Sequence, residues 1–263
     1  MAVVTSPGSA VADDRHIHGQ GTPELAWRRF DGLRTLAPLP LPLASRPSRW
    51  VVVAPHPDDE VLGCGGLLAL LARAWHEVVV VGVSDGEAAF PGSAVWTPTV
   101  LARRRRIERS QGLHRLGLPD AALSLALPDG AVARHEAALA ARLRELLRDG
   151  DTLLATWRLD GHPDHEAAGR AAAVVAAECG CRLWEYPVWM WHWAAPDDAR
   201  VPWGRMRRLE LDGDACERKV RAIAAHTSQL AGVPSESREA VLPDWALARL
   251  LRPFEVFIEG EGR

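Results

Sequence analysis

Tyrosine is almost missing: Tyr186 stands alone against eleven tryptophans, and phenylalanine occurs four times. Aromatic packing therefore rests on indole rings. Cysteine is scarce too. Cys64, Cys179, Cys181 and Cys216 have neither the paired spacing of a disulfide framework nor that of a zinc knuckle. They read as reduced thiols, which suits a cytoplasmic protein. No run of eighteen apolar residues occurs, so no transmembrane helix is expected. The first residues, MAVVTSPGSAVADDRH, lack the basic start and long apolar core of a signal peptide. There is no excess of basic charge; a net charge of −3 indicates neither a nucleic-acid partner nor a membrane surface. Internal repeats are absent as well.

What is there divides into three stretches. Residues 1–22 are rich in Ser, Gly, Ala and Asp without periodicity and read as a disordered tail. Residues 23–48 hold Trp27 and Phe30 on a short helix. LAPLPLPLASRPS follows, whose prolines forbid a regular helix and predict an extended wrap. Residues 49–263 read as one catalytic domain.

From residue 49 onward, apolar runs alternate with amphipathic stretches. Strands are expected at 49–54, 77–84, 121–127, 151–156, 181–188 and 255–258. Helices are expected at 60–74, 99–116, 131–148, 164–179 and 213–227. Strands apolar along their whole length, alternating with helices, predict a mostly parallel sheet covered on both faces. The expected fold is α/β, a three-layer αβα sandwich of Rossmann-like type. Sites in such sheets form beyond the carboxyl ends of the strands. HPDDE (56–60), SDGE (84–87) and GHPDH (161–165) each follow a predicted strand, so they should meet at one edge.

HPDDE packs His56, Asp58, Asp59 and Glu60 into five positions. Carboxylates that close repel one another, and a divalent cation is the simplest offset. His56 and Asp59 are three apart, as are His162 and His165, and one helical turn brings such pairs onto one face. Two histidines and a carboxylate with open positions form a hydrolytic zinc arrangement; the same donors suit non-haem Fe(II).

APHPDDE after one strand, SDGE after the next and HPDH later resemble the PIG-L/LmbE-like family of zinc-dependent N-acetylglucosaminyl deacetylases. ARRRRIERSQGLHRLG, with Arg105 and Glu108, EYPVW and KVRAIAAHTSQ are further points of likeness, so the resemblance spans roughly residues 49–258. It implies that His56, Asp59 and His165 bind Zn2+, that Asp58 is the general base and that His162 is its electrostatic partner. A protonated His162 would then face the oxyanion, with Asp164 orienting it or raising its pKa. Some relatives place a tyrosine two residues before the first histidine of HPDH; this chain has Asp160. The implied partner is a small-molecule amino sugar or glycoconjugate. A hydrolase of another amide or ester, or a sugar-binding protein on the same fold, stands as the alternative.

Other residues carry weaker signals. Asp85 and Glu87, on the loop after the second strand, are candidates for substrate contact. Arg103 to Arg106 point in different directions on a helix and make no stripe; Arg105 is the candidate to face the pocket. Trp184, Trp189, Trp191 and Trp193 cluster after a strand, and Trp189 is the candidate to pack against a sugar face. Gly63, Gly65 and Gly66 predict close helix–sheet packing. His16, His18, His76, His114 and His135 read as surface residues.

Overall fold

The structure, a computed structural model, describes residues 15–41, 47–119 and 121–260. Its centre is an eight-stranded sheet: β1 (Ala37–Pro38), β2 (Arg49–Ala54), β3 (Glu77–Gly82), β4 (Ala122–Ser124), β5 (Thr152–Thr156), β6 (Arg182–Tyr186), β7 (Met206–Glu210) and β8 (Phe254–Glu259). Across the sheet the order is β1-β7-β8-β6-β5-β2-β3-β4. Strands β6, β5, β2, β3 and β4 are parallel, while β8 runs antiparallel to both β6 and β7.

Helices cover both faces. They are α1 (Glu24–Arg29), α2 (Asp59–Arg73), α3 (Pro98–Leu116), α4 (Glu136–Leu146), α5 (Pro163–Cys179), α6 (Met190–Trp193), α7 (Gly213–Ile223), α8 (Thr227–Leu230) and α9 (Asp244–Leu247). Strand β2 shows why its run is apolar throughout. Val52 and Ala54 join Leu67, Leu68, Leu71 and Ile223 on one face. Val51 and Val53 join Leu139, Leu143, Ala168 and Val175 on the other. A central parallel strand buries both faces, so period-two alternation disappears from its sequence. The expected sandwich is therefore present.

Helix α2 lies close against this sheet. A Cβ on Gly63 would come within 2.1 Å of the Tyr186 ring, so no larger residue fits. The lone tyrosine is itself buried and donates its hydroxyl to Val53 O at 2.8 Å. Cys64 departs from helical geometry (φ −139°), and the helix bends there. The N–H groups of Gly66 and Leu67 turn to the Glu255 carboxylate at 2.7 and 2.8 Å. Lys219 on α7 pairs with that carboxylate at 2.7 Å, so the buried charge is matched.

Several expectations needed correction. The tail expectation covers residues 1–14, outside the described residues, and residues 15–22, which hydrogen bonds tie to the domain although most of them are exposed. Thr22 hydrogen-bonds His192 O and Ala194 O, and Arg15 bonds Leu159 O and Glu166. Strand β7 went unpredicted because its arginines, half-buried at the side of the sheet, interrupt the apolar pattern. The expected 131–148 helix is a 3-10 turn (Val132–His135) followed by α4. His76 is buried, its Nδ1 bonded to Ser48. No helix among the described residues is long and apolar enough to cross a membrane.

Candidate metal centre and active site

Strand order places the site. The chain runs from β2 to β3 and β4 on one side, then returns to β5 and β6 on the other. Loops leaving β2 and β5 diverge, and the crevice between them opens at the carboxyl edge. HPDDE leaves β2 there, and HPDH leaves β5.

His56, Asp59 and His165 meet in that crevice. His56 Nδ1 lies 3.2 Å from Asp59 Oδ2, His165 Nε2 lies 3.2 Å from Asp59 Oδ1, and the two ring nitrogens are 3.3 Å apart. With both rings neutral, the two ring nitrogens and the two Asp59 oxygens at that spacing repel unless a cation lies between them. Tetrahedral zinc with bonds of about 2.0–2.1 Å has ligand–ligand edges of about 3.3–3.4 Å. The donor triangle therefore fits a divalent ion.

Buried carboxylates around the triangle favour positive charge. His165 Nδ1–H donates to Asp160 Oδ2 at 2.8 Å, so that when the ring is neutral its lone pair is on Nε2. Burial works against charge on His165, but Asp59 and Asp160 outweigh it and push its pKa up to about 9. His56 Nε2 faces Asp129 Oδ1 at 3.2 Å and Asp164 Oδ2 at 3.4 Å. Burial is again outweighed, and the His56 pKa stands well above its usual value. Burial opposes charge on Asp59 too, but His165 and His56 hold it well below the carboxylate range.

Asp58 sits beside the triangle, not in it. It caps α2 with an unusual backbone (φ 154°), a conformation costing of order 1–3 kcal/mol that the surroundings must hold. Arg105 Nη2 reaches its Oδ2 at 3.0 Å. Burial nevertheless raises the Asp58 carboxyl to about 6, a suitable range for moving a proton near neutrality. Arg105 is spent on this task and on the carbonyls of Gly86 and Pro57.

His162 differs from the sequence expectation. Burial, with His165 and His56 close by, lowers its pKa to about 3, so the ring is neutral. Its Nδ1 accepts the Asp164 N–H at 3.2 Å, which puts the ring proton on Nε2. These surroundings favour a neutral donor where the sequence reading expected an imidazolium. The Asp164 carboxylate does not orient it either. That group faces His56 and accepts N–H from Gly130 and Val132 at 2.7 and 3.1 Å. His56, His162 and Asp164 form a second donor cluster. Their partners already satisfy one another, so the first triangle is the better ion site.

A cavity of about 240 Å³ opens onto these groups, bordered by His56, Asp58, Asp59, Arg105, Asp129 and His162 on its polar side. Leu62, Val188, Trp189 and Leu242 supply the apolar side. Of the tryptophans, Trp184 and Trp191 are core, and only Trp189 borders this cavity. A larger groove of about 1070 Å³ lies near the amino ends of β5 and β6, with Thr152 and Arg182 on its wall, and holds none of the site residues.

Asp85 and Glu87 are not among the residues bordering the cavity. Asp85 pairs with Arg106 at 2.8 Å and Ser124 at 3.0 Å. Glu87 accepts the Asp129 N–H at 2.9 Å and braces that turn. Asp129 went unforeseen, although Pro128-Asp129-Gly130 is a turn just past β4, at the same sheet edge. Asp160 does not stand in for a tyrosine at the cavity. It is fully buried and gathers the N–H groups of Val188, Trp189 and Met190 at 2.9–3.0 Å while holding His165.

Residues 51–176 match the PIG-L family model, GlcNAc-PI de-N-acetylase. The 2'-N-acetylparomamine deacetylase of Streptomyces fradiae is 34% identical over 139 residues, 46% of this chain and 49% of that protein. The chain thus spans about half the length of this curated relative. Two solved structures share the fold. N,N'-diacetylchitobiose deacetylase from Pyrococcus horikoshii superposes with a TM-score of 0.55 at 21% identity, covering 80% of each chain. The A40926 pseudoaglycone deacetylase Dbv21 superposes with a TM-score of 0.60 at 24% identity, covering 80% of this chain and 96% of its own.

Proposed function

We propose that this chain, whose residues 51–176 match the PIG-L family model, is a metal-dependent amidohydrolase, removing an N-acetyl group from an amino sugar or glycoconjugate. The observation that carries this reading is the donor triangle of His56, Asp59 and His165, with the unligated carboxylate of Asp58 beside it. Zn2+ is the first candidate for the triangle, and Fe2+ suits the same donors. A divalent ion held there would lower the pKa of a bound water and polarise the acyl carbonyl.

The residues then divide the work. Asp58 takes a proton from the attacking water as its oxygen bonds to the acyl carbon. The neutral His162 offers its Nε2–H to the oxygen that gains charge in the tetrahedral intermediate. When the C–N bond breaks, Asp58 returns its proton to the leaving amine, and acetate and the free amino sugar depart. Trp189 and Leu242 offer an apolar wall to one face of the sugar ring. The Streptomyces fradiae relative makes N-acetylated aminoglycoside sugars a natural first probe. Four free cysteines suit a cytoplasmic setting.

The test measures metal content alongside amine release from a panel of N-acetylated sugars, before and after chelation. Amine release that tracks a stoichiometric divalent ion supports the reading. Amine release unchanged by complete metal removal, or release from none of the sugars, would sink it.

A further inference from the structure

We propose that Gln229 is a specificity-determining residue, whose Oε1 accepts a hydrogen bond from a hydroxyl or amine of the bound sugar, and that Glu108 fixes it in that orientation through Ser228. This rests on the amino-sugar reading above and names what that site selects for.

Gln229 is fully buried on α8, yet it borders the cavity that holds His56, Asp58 and Asp59. Its Oε1 has no hydrogen-bond partner among the described residues. Buried amide oxygens in folded proteins nearly always have one, so an unpaired acceptor on a residue of the cavity wall points to a ligand.

The orientation of the amide follows from its neighbours. Ser228 Oγ lies 2.6 Å from Glu108 Oε2, and an ionised carboxylate can only accept. Its hydroxyl proton is therefore committed to Glu108. The Ser228 oxygen can then only accept from Gln229, whose Nε2 stands 3.0 Å away. The amide must present NH₂ to Ser228 and leave Oε1 unclaimed. Glu108 is firmly placed: it also accepts from Ser228 N, Thr227 Oγ1 and Arg104 Nε at 2.8–2.9 Å. Those bonds outweigh the cost of its burial and hold its carboxyl below the usual range. The Gln229 backbone is pinned as well, by Gln229 N to His226 O and Leu242 N to Gln229 O, each 2.9 Å.

The rest of the cavity wall points to the same ligand chemistry. Its arginine, Arg105, gives Nη1 and Nη2 to Gly86 O, Pro57 O and Asp58 and keeps Nε as its one buried donor without a partner among the described residues. Asp129, whose oxygens meet Ala88 N and His56 Nε2, and Gln229 also border the cavity. Such a wall selects a ligand rich in hydroxyl or amino donors, such as a neutral or cationic amino sugar.

The experiment compares wild type with Gln229→Met, which keeps length and removes the acceptor. Probes are methyl N-acetyl-β-D-glucosaminide and its 3-, 4- and 6-deoxy analogues, assayed by amine release in zinc-loaded protein. Calorimetry measures binding of the corresponding free amines, and metal content is recorded for each protein. In wild type, one deoxy analogue should lose about tenfold to a hundredfold in kcat/KM and in affinity. In Gln229→Met the parent sugar should lose a similar factor, and that analogue should lose nothing further. Losses that multiply independently overturn the proposal, because groups that do not touch act additively. If wild type releases no amine from any probe, the deacetylase reading falls, and the calorimetric comparison alone decides the role of Gln229. Absence of binding by all four amines overturns it too. If Gln229→Met fails to fold, Ser228→Ala takes its place: weakened discrimination at the same ring position supports the proposal, and full discrimination overturns it.

Discussion

Replacing Asp160 by Asn keeps the shape of the side chain and should cripple the ion site from behind. Asp160 Oδ1 accepts N–H from Val188 and Met190 at 3.0 and 2.9 Å. Its Oδ2 accepts from Trp189 N at 2.9 Å and from His165 Nδ1 at 2.8 Å. An asparagine can keep one pair of bonds by placing its oxygen at the Oδ1 position. Its NH₂ then opposes the Trp189 N–H and meets His165 with a donor. The ring can answer only by changing tautomer: Nδ1 becomes the acceptor, and the proton moves to Nε2, the atom aimed at the donor triangle. A similar tautomer trap is known for an Asp–His pair in serine proteases. Metal affinity should fall by at least tenfold to a hundredfold, the usual cost of removing such a partner. Losing charge-assisted bonds to a buried carboxylate costs about 1.5–3 kcal/mol each, so a net loss near 3 kcal/mol is expected. For a chain of this size that lowers Tm by about 6–12 °C. A competitive titration against a chromophoric chelator reads the affinity, and calorimetry reads Tm. A variant with the expected drop in Tm but wild-type metal affinity would refute the argument, leaving Asp160 as an anchor of the 188–190 loop alone.

Asp58→Asn should retain stoichiometric metal while amine release falls by about 10²–10⁴, measured by metal analysis and fluorogenic amine detection; loss of the metal would make Asp58 a ligand. Lys219→Ala strands the Glu255 carboxylate, which Lys219 meets at 2.7 Å in the core. About 3–5 kcal/mol should be lost, seen as a lower midpoint in urea. His226 is fully buried, and burial, with Arg105 nearby, lowers its pKa from 6.5 to about 3. The unfolded chain therefore binds a proton between those values that the folded chain refuses. Stability is fully present above about pH 6.5 and is lost as pH falls towards 3, by a few kcal/mol. His226→Gln should flatten that part of the curve in denaturation measured from pH 7 to pH 4; an unchanged slope would show that His226 does not carry it.

Much of the fold was legible because a parallel αβα sheet writes itself locally. Val51, Val52 and Val53 are all apolar because both faces of β2 are covered, and such a run has few other uses. HPDDE and HPDH were legible for a related reason: charge crowded into the turn after a buried strand needs a purpose, and their i, i+3 spacing supplies it. Strand β7 was not legible. Its arginines lie alongside Glu259, Glu210 and the carbonyl of Leu33, contacts that exist only after folding.

The chain alone determined the layers of the sandwich and the edge where the motifs gather, since each follows from residues near one another in sequence, while the expected donors His56, Asp59 and His165 came from its resemblance to a known family. Tertiary structure decided the protonation of His162, the alliance of Asp160 with His165, the approach of Asp129 to His56 and the free acceptor on Gln229. Those depend on burial and on partners tens to more than a hundred residues away, and a buried group takes its charge and its proton from whatever the fold sets against it.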